Sequence, residues 1–512
     1  MTEPSGTRGR IVMLVDNGVR FDSRVQKEAV SAAERGWDVV LLGRKPAGDQ
    51  RVEWNIGQAT VRLIRVLNPM KVRRFEYRRG GLRSPLAYPP GPLAAYRVQG
   101  VKAWKADLVV RRAVLSGRRS AWASAGRFAL GAQLFMAKVA GRWVSFRSAR
   151  TDSLNRRRKA MDGPLDRFTT AMWQKVLGDR AWRRLDPGVW DWELAYGPVI
   201  DDLKPDLIHA NDFRMLAVGA RAAARAKASG RPVKLVWDAH EFLPGMRSWG
   251  AQGMHPRWRP AMQALEHEFA PYADAVVTVS DELGDLLVQE HGLQQQPGVV
   301  LNAPMAHDAS SRSSTAVDVR TACGLTTDTP LIVYSGLAAH KRGLDTMVDA
   351  LPMLDGVHVA LVVSDPELPY VVKLSRRAEA LGARDRLHLV PYVPIEDIVP
   401  YLSTADVGAI PLHHWPNHEI SLLTKFFEYS HARLPIVVSD VQAMAAKVRE
   451  TGQGEVFVAE DVDDYVRAVK DLLADNQRYR RAYDTPGLLE EWTWERQADE
   501  LDRIYSRLVS GD

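Results

Sequence analysis

The sequence predicts an α/β fold: two tandem doubly wound parallel sheets, with a basic, mainly helical insertion in the first domain. Three observations carry this. Short apolar runs alternate with helical patterns before residue 66 and again after residue 205. The stretch 67–195 between them has helical period and strong positive charge. The 512 residues suffice for about three domains or two large ones.

The elements follow in order. IVMLV (11–15) is an apolar run ending at Asp16-Asn17-Gly18, a buried strand and its loop. In RVQKEAVSAAERG, Val25, Ala29, Ala32 and Ala33 recur at helical spacing, and Gly36 supplies a stop. DVVLLG (38–43) is a second strand and completes a βαβ unit. The basic segment opens with RRGGLRSPLAYPPGPL (78–93) and turns helical over about 94–150, with Trp104, Trp122 and Trp143 among Arg and Lys. Asn155-Arg156-Arg157-Arg158-Lys159 reads as a solvated hinge before a further helical stretch bearing Trp173, Trp182 and Trp190. Strands resume at 206–210, 233–237, 275–279, 331–335, 357–363, 386–390, 406–410 and 435–439. The Ser/Thr/Ala-rich loop 307–316 is the best domain boundary, and a helix over 489–509 closes the chain.

Composition excludes several classes. The apolar fraction of 46% and charged fraction of 26% argue against long disorder, a collagen-like repeat or a coiled coil. The single cysteine, Cys323, rules out an internal disulfide framework or a thiolate zinc cluster and reads as structural. No secretory signal and no apolar run of about 18 residues is seen, so a cytoplasmic protein is expected. Charge is uneven. Residues 71–190 carry 27 Lys+Arg against 7 Asp+Glu, leaving a net −13 elsewhere in a chain of net +7. That asymmetry points to an anionic partner. Trp among Lys and Arg fits an interfacial membrane element, a nucleic-acid surface or a solvated helical hairpin; charge this dense without acids makes the last less favoured but does not separate the first two.

In doubly wound sheets ligands bind beyond the carboxyl ends of strands, so chemistry should sit in the loops there. In DNGVRFDSRVQKEA (16–29), Gly18 permits close backbone approach at a helix N-terminus; a plain turn capped by Asp22 or Ser23 explains the same letters. Asp238-Ala239-His240-Glu241 puts an imidazole between carboxylates at a strand end, placed to touch a ligand or to cap the following helix. Pro244 stands where a zinc-protease HExxH would need His. Gly336, then Lys341-Arg342-Gly343, suits a phosphate through turn, cations and helix, or is a solvated pair of cations. Lys425 and Glu428 share one helix face, able to meet phosphate and sugar hydroxyls, or merely each other. His413, His414 and His418 near Glu419 match no standard metal spacing and read as a mobile loop beside the cleft.

Taken in order, these pieces resemble a GT-B glycosyltransferase of the large retaining family 4. FDSRVQKEA, PDLIHAND (205–212), DAHEF (238–242), ADAVVTVSDEL (273–283), VVLNAP (299–304), YSGLAAHKRGLDT (334–346), VPIEDIVPYLSTADVGAIP (393–411) and SLLTKFFEYSHARLPIVVSD (421–440) follow the family's order. The resemblance covers about 10–66 and 200–510. It implies two Rossmann-like domains: 1–305 on the acceptor side, carrying the 67–195 insertion, and 306–485 on the donor side. A helix over 486–512 would cross back to the first. It further implies sugar transfer from a nucleotide-sugar, with retention, needing no cofactor beyond that co-substrate and no metal. The acceptor would be a glycan or lipid-linked molecule of the cell envelope at the inner membrane face, which makes an anionic membrane surface the expected partner of 67–195 and nucleic acid not.

The resemblance also assigns roles. Arg342 matches the basic residue that holds the donor diphosphate, Glu428 the glutamate that binds ribose, and Lys425 the lysine on that helix. His240 resembles the first-domain residue near the donor sugar. Catalytic candidates are thus His240, Arg342 and Glu428. Donor-binding candidates are Gly18, Gly336, Lys341, Arg342, Lys425 and Glu428. Asp22, Arg24, Asp238 and His240 lie on the acceptor side. Two positions depart from the family: Ile420 stands where Glu is common, with Glu419 adjacent, and Leu337 replaces an Arg after Gly336. Those departures favour a rival reading, a non-catalytic scaffold whose basic arm binds a polyanion. A sugar-nucleotide epimerase or a phosphorylase on the same architecture is a third; no pyridoxal lysine motif supports the latter.

Overall fold

The computed structural model describes residues 8–510 except Phe21, 68–69, 71–85, 90–91, 117–119, 161–162, 247–255, 307–316 and 395–396. The expected boundary loop 307–316 and most of 78–93 therefore lie outside the described residues. Two compact units result. The larger joins Met1–Val66, Trp192–Arg247 and Leu265–Asp512; the smaller joins Leu67–Asp191 and Ser248–Ala264.

The larger unit holds two sheets. The first contains β1 (Arg10–Leu14), β2 (Asp38–Arg44), β3 (Glu53–Ile56), β4 (Ala59–Ile64), β5 (Leu207–Asn211), β6 (Lys234–Ala239), β7 (Ala275–Thr278) and β8 (Gly298–Val299), in the order β3-β4-β2-β1-β5-β6-β7-β8. Only the β3–β4 pair is antiparallel. The second contains β9 (Leu331–Ser335), β10 (His358–Val363), β11 (Leu387–Pro391), β12 (Val407–Ile410), β13 (Ile436–Ser439) and β14 (Gly454–Phe457), in the order β11-β10-β9-β12-β13-β14, all parallel. Chain order reverses at β1 in one sheet and at β9 in the other, so the crevices open just beyond those strands.

β1 and β9 are buried on both faces, which is why they read as unbroken apolar runs. Four strands escaped the sequence reading. β4 alternates buried and half-buried residues, a period-two pattern diluted by Thr60 and Arg62. β3 is its polar hairpin partner, closed at Gly57, whose φ is 54°. β8 and β14 are too short to carry a pattern.

α1 (Ser23–Glu34) packs Val25, Ala29, Ala32 and Ala33 onto the first sheet. The C-terminal helix Trp494–Ser510 joins the same core through Trp494, Leu501, Ile504 and Tyr505. The single helix expected over 489–509 is in fact two. Leu488–Glu491 ends, and Trp494 restarts the helix with its N–H on Pro304 O at 2.7 Å. Cys323 is half-buried against the second core, where burial pushes its thiol up to about 11.

Helices make up the described elements of 67–185. α2 (Leu93–Ser116) packs on α3 (Ala121–Ala160), and α4 (Pro164–Leu177) follows. The expected hinge at 155–159 is wrong: these residues continue α3. Arg and Lys are good helix formers, and nothing breaks the chain before Gly163-Pro164. Among the described residues, no helix is long and apolar enough to cross a membrane.

Candidate active site

The loops after β1, β5 and β6 gather at the first crevice. Asp22 caps α1, accepting from Val25 N at 3.3 Å, and receives Asn17 Nδ2 at 2.7 Å. A Cβ on Gly18 would meet Pro46 Cγ at 2.8 Å, so packing alone requires glycine there. Val19, not Gly18, takes the left-handed conformation, with φ of 66°. That is a costly choice for a β-branched residue and marks a loop held by its surroundings.

Arg24 and Asp238 do not face the crevice as free groups. Asp238 is 0% and Arg24 4% exposed. Arg24 Nε and Nη2 reach Asp238 Oδ2 and Oδ1 at 2.9 and 3.0 Å, a two-pronged pair, and Nη1 donates to Val300 O at 2.6 Å. Arg24 Nε also lies 2.9 Å from Glu28 Oε1. Behind them His209 Nε2 stands 3.5 Å from both carboxylates, and its Nδ1 meets Tyr505 Oη at 2.7 Å. Burial and the Asp238 charge push the Glu28 carboxyl well up. Burial works against the Asp238 charge too, but Arg24 and His240 hold that carboxyl well below its usual range. Glu28, His209 and Asp238 have the spacing of a metal triad, yet the Arg24 guanidinium sits against both carboxylates.

His240 stands in front of this network. Its Nε2 lies 3.0 Å from Asp238 Oδ2 and its Nδ1 3.6 Å from Asp212 Oδ1. Burial opposes a charged imidazole, but Asp238 and Asp212 prevail and raise it to about 9. The two carboxylates thus favour the charged imidazole, which is suited to donate hydrogen bonds rather than accept a proton. Asp212, raised to about 7 by burial, begins its helix with φ of 60°.

The second crevice lies beyond β9. Gly336 has φ of 131°, and a Cβ there would stand 2.9 Å from Lys425 Nζ. The glycine thus makes room for the ammonium. Lys425 rises from the helix Thr424–His431, 8% exposed, with Nζ 3.5 Å above the Tyr334 ring centroid. Arg342 ends the turn His340–Arg342 before Gly343, where a Cβ would overlap Pro411 O at 1.7 Å. Lys425 Nζ and Arg342 Nε and Nη1 are buried polar atoms with no hydrogen-bond partner among the described residues. Burial and Arg342 lower Lys425 well below its ordinary range. Glu428, one turn along, is raised by burial against the pull of Lys425 and Lys27. Lys341 is half-buried, its Nζ 5.8 Å from the Trp415 ring centroid.

The two sides meet directly. Asn302 Nδ2 donates to Thr424 Oγ1 at 2.9 Å, and Ser280 Oγ to Ile420 O at 2.7 Å. Lys27 of α1 donates to Asn302 Oδ1 at 2.9 Å and Ala303 O at 2.5 Å. Glu419 is committed elsewhere, to Gln442 N at 2.9 Å and His414 Nδ1 at 2.7 Å. The three histidines do not converge. His414 is clamped between Glu419 and Asp440, while His418 is buried on His413 O and lowered to about 4 by burial. The loop expected there carries the short helix Pro416–Glu419.

Sequence reading missed Glu28, His209, Asp212, Lys27 and Tyr505. One signal was available: Arg24 and Glu28, four apart, share the apolar face of α1 with Val25 and Ala29. A charged pair inside an apolar stripe must find partners.

Two family models match. Glycosyltransferase Family 4 matches residues 174–303, and Glycosyl transferases group 1 matches 319–485. Residues 67–173 lie outside both. The chain is 26% identical over 254 residues to D-inositol 3-phosphate glycosyltransferase of Xylanimonas cellulosilytica, covering 47% of this chain and 59% of that one. It thus spans less than two thirds of that relative. It is 27% identical over 188 residues to GDP-mannose-dependent alpha-(1-6)-phosphatidylinositol monomannoside mannosyltransferase of Mycolicibacterium smegmatis, covering 35% and 48%. Among solved structures, sucrose-phosphate synthase from Thermosynechococcus elongatus superposes with a TM-score of 0.61 at 15% identity, covering 99% of this chain and 100% of that one. With the two sheets, their strand order and both family models in agreement, the chain belongs to the GT-B glycosyltransferases of family 4.

Proposed function

We propose that this enzyme moves a sugar from a nucleoside-diphosphate sugar, with retention at the anomeric carbon, onto a lipid-linked or cell-envelope acceptor bearing a phosphorylated polyol. The observation that carries the reading is the buried Lys425 Nζ beside Gly336, together with half-buried Arg342: Lys425 Nζ and two Arg342 guanidinium nitrogens are buried with no hydrogen-bond partner among the described residues. A buried polar nitrogen without a hydrogen-bond acceptor is costly, and a diphosphate supplies the missing acceptor. As the sugar–phosphate bond breaks, negative charge grows on the departing diphosphate. The Arg342 guanidinium, already in place, stabilises it without reorganisation, and the Lys425 amine adds its charge as the diphosphate draws a proton onto it. Glu428 would accept from ribose hydroxyls, and Lys341 would add a second-rank charge. Across the cleft His240, charged and held by Asp238 and Asp212, would donate to hydroxyls of the donor sugar or acceptor. Arg24 and Asp238 act as its positioning residues. The names of the inositol-phosphate and phosphatidylinositol-mannoside relatives support an acceptor of that chemistry. Work at the inner membrane face, without a metal, completes the reading.

Thermal unfolding against UDP, GDP, ADP and their sugar conjugates tests it. One nucleotide class should raise the midpoint by mass action, and Glu428→Ala should abolish most of that shift. Arg342→Ala should slow transfer about 100-fold or more. Wild-type turnover by both variants would overturn the site.

A further inference from the structure

The smaller unit has a feature that sugar transfer does not use. A groove of about 460 Å³ runs between α2 and α3, lined by Lys102 and Lys105 from one helix and Lys138 and Arg142 from the other, with Gly141 and Ser145 between them. Among the described residues, no carboxylate lines it. Asp107, the one acidic residue between Glu76 and Asp152, is taken by Arg111 at 2.9 Å. Four cations therefore face a space of headgroup size with no counter-charge.

A second observation is independent of charge. Phe128, Phe135, Val139 and Phe146 of α3 are 83%, 65%, 46% and 49% exposed. Their spacing places them within about 20° of one line along a helix turning about 100° per residue. Trp143 stacks on Phe146, centroids 5.9 Å apart. On the same helical wheel Lys138 and Arg142 fall on one flank of the stripe and Arg150 on the other. Soluble surfaces seldom leave such a line of aromatics in water. The 40 residues of α3 make it about 60 Å long, yet it is not apolar enough to cross a bilayer. An apolar line, flanking cations that can snorkel and an adjoining cationic groove together suit a helix lying in the membrane interface.

We infer that the α2–α3 pair is a lipid-docking surface whose groove takes the phosphate headgroup of an anionic phospholipid while the Phe128–Phe146 stripe enters the acyl boundary. This deepens the proposed function, resting on it only for the membrane location of the acceptor. Both helices lie outside the residues matched by the family models.

The test is flotation of the full chain with vesicles of phosphatidylcholine alone or mixed with phosphatidylglycerol. Binding is expected only to the mixed vesicles and should weaken with salt. Replacing Lys102, Lys105, Lys138 and Arg142 together by Gln should cost several hundredfold in affinity, about fivefold per cation. The variant Phe128→Ser/Phe135→Ser/Phe146→Ser should also detach while keeping its melting temperature. Should the fourfold variant unfold, Lys138→Glu alone, at an exposed position, carries the comparison. Undiminished flotation of these variants overturns the inference. So does inorganic phosphate binding to the lipid-free protein as tightly as the vesicles do, which would make the groove a free-phosphate site. An RNA oligonucleotide that outcompetes the vesicles, and loses binding in the same variant, overturns it too. Nucleotide-induced thermal shifts on the same proteins separate the two readings. Lost flotation with intact shifts upholds the surface, whereas flotation without any nucleotide shift sinks the transferase alone.

Discussion

Lys425→Met should make the free protein more stable and the donor complex weaker. The ammonium lies 8% exposed beneath Gly336, above the Tyr334 ring, with no hydrogen-bond partner. An unpaired buried polar group costs about 1–3 kcal/mol, and methionine fills similar volume without that cost. The variant should therefore gain about 1–3 kcal/mol in urea unfolding without ligand. A hydrogen bond to a charged group contributes about 1.5–3 kcal/mol, so affinity for the cognate nucleoside diphosphate should fall roughly ten- to a hundredfold. Burial and Arg342 depress the Lys425 pKa below its unfolded value, so the unfolded chain binds more protons at high pH. Stability of the free wild type should then rise with pH from that depressed pKa up to about 10.5, and the variant should lack this rise. A bound diphosphate favours the charged amine, so binding should take up a proton. Calorimetry in two buffers of different ionisation enthalpy reads this directly. A variant that is less stable than wild type, yet binds nucleotide equally well, would refute the argument that this cation awaits an anion.

The remaining predictions concern single contacts. Gly336→Ala places a methyl 2.9 Å from Lys425 Nζ at a φ of 131°, so it should destabilise by about 1–3 kcal/mol and weaken nucleotide binding together; loss of only one of the two would separate strain from site. His240 is raised from 6.5 to about 9, so its stabilisation is full below pH 6.5 and lost as pH rises through 9, about 3 kcal/mol in all. Lys27, lowered to about 7 by burial and Arg24, works in the opposite sense above pH 7, so the quantity to measure is the pH-dependent difference between wild type and His240→Gln. A flat difference would show that His240 is not held as a cation. Transfer should continue in EDTA; loss of activity restored by a divalent ion would overturn the metal-free reading.

Legibility followed the physics of each element. Strands buried on both faces, such as β1, β6 and β9, declared themselves as apolar runs, and their end loops pointed to His240, Gly336 and Arg342. Edge strands did not. β3 has one half-exposed face and two polar residues in four, and β8 has two residues in all. The hinge at 155–159 was misread because charge was taken for solvation, whereas Arg and Lys extend a helix readily. Lys425 and Glu428 were legible as a pair three apart, but not that Lys425 would be buried without a partner. That depends on Gly336, 89 residues away in sequence and in contact only once β9 is packed.

The buried network behind His240 shows why its members were invisible one by one. His209 in β5 reads as a core histidine, and Tyr505 as an anchor of the last helix. Only folding joins them to Glu28, Arg24 and Asp238. The result differs in kind from the site beyond β9. Asp238 is fixed as an anion by Arg24 and His240, and in turn keeps His240 charged with no ligand present. Lys425 and Arg342 have no such carboxylate in hydrogen-bond contact. One side of the cleft thus presents a donor whose charge is already balanced, and the other presents nitrogens whose hydrogen-bond acceptors must come from outside. A ligand carrying hydroxyls at one end and a diphosphate at the other satisfies both. A neutral sugar alone leaves the second side uncompensated. On this argument the nucleoside diphosphate, not the sugar, should supply most of the binding free energy.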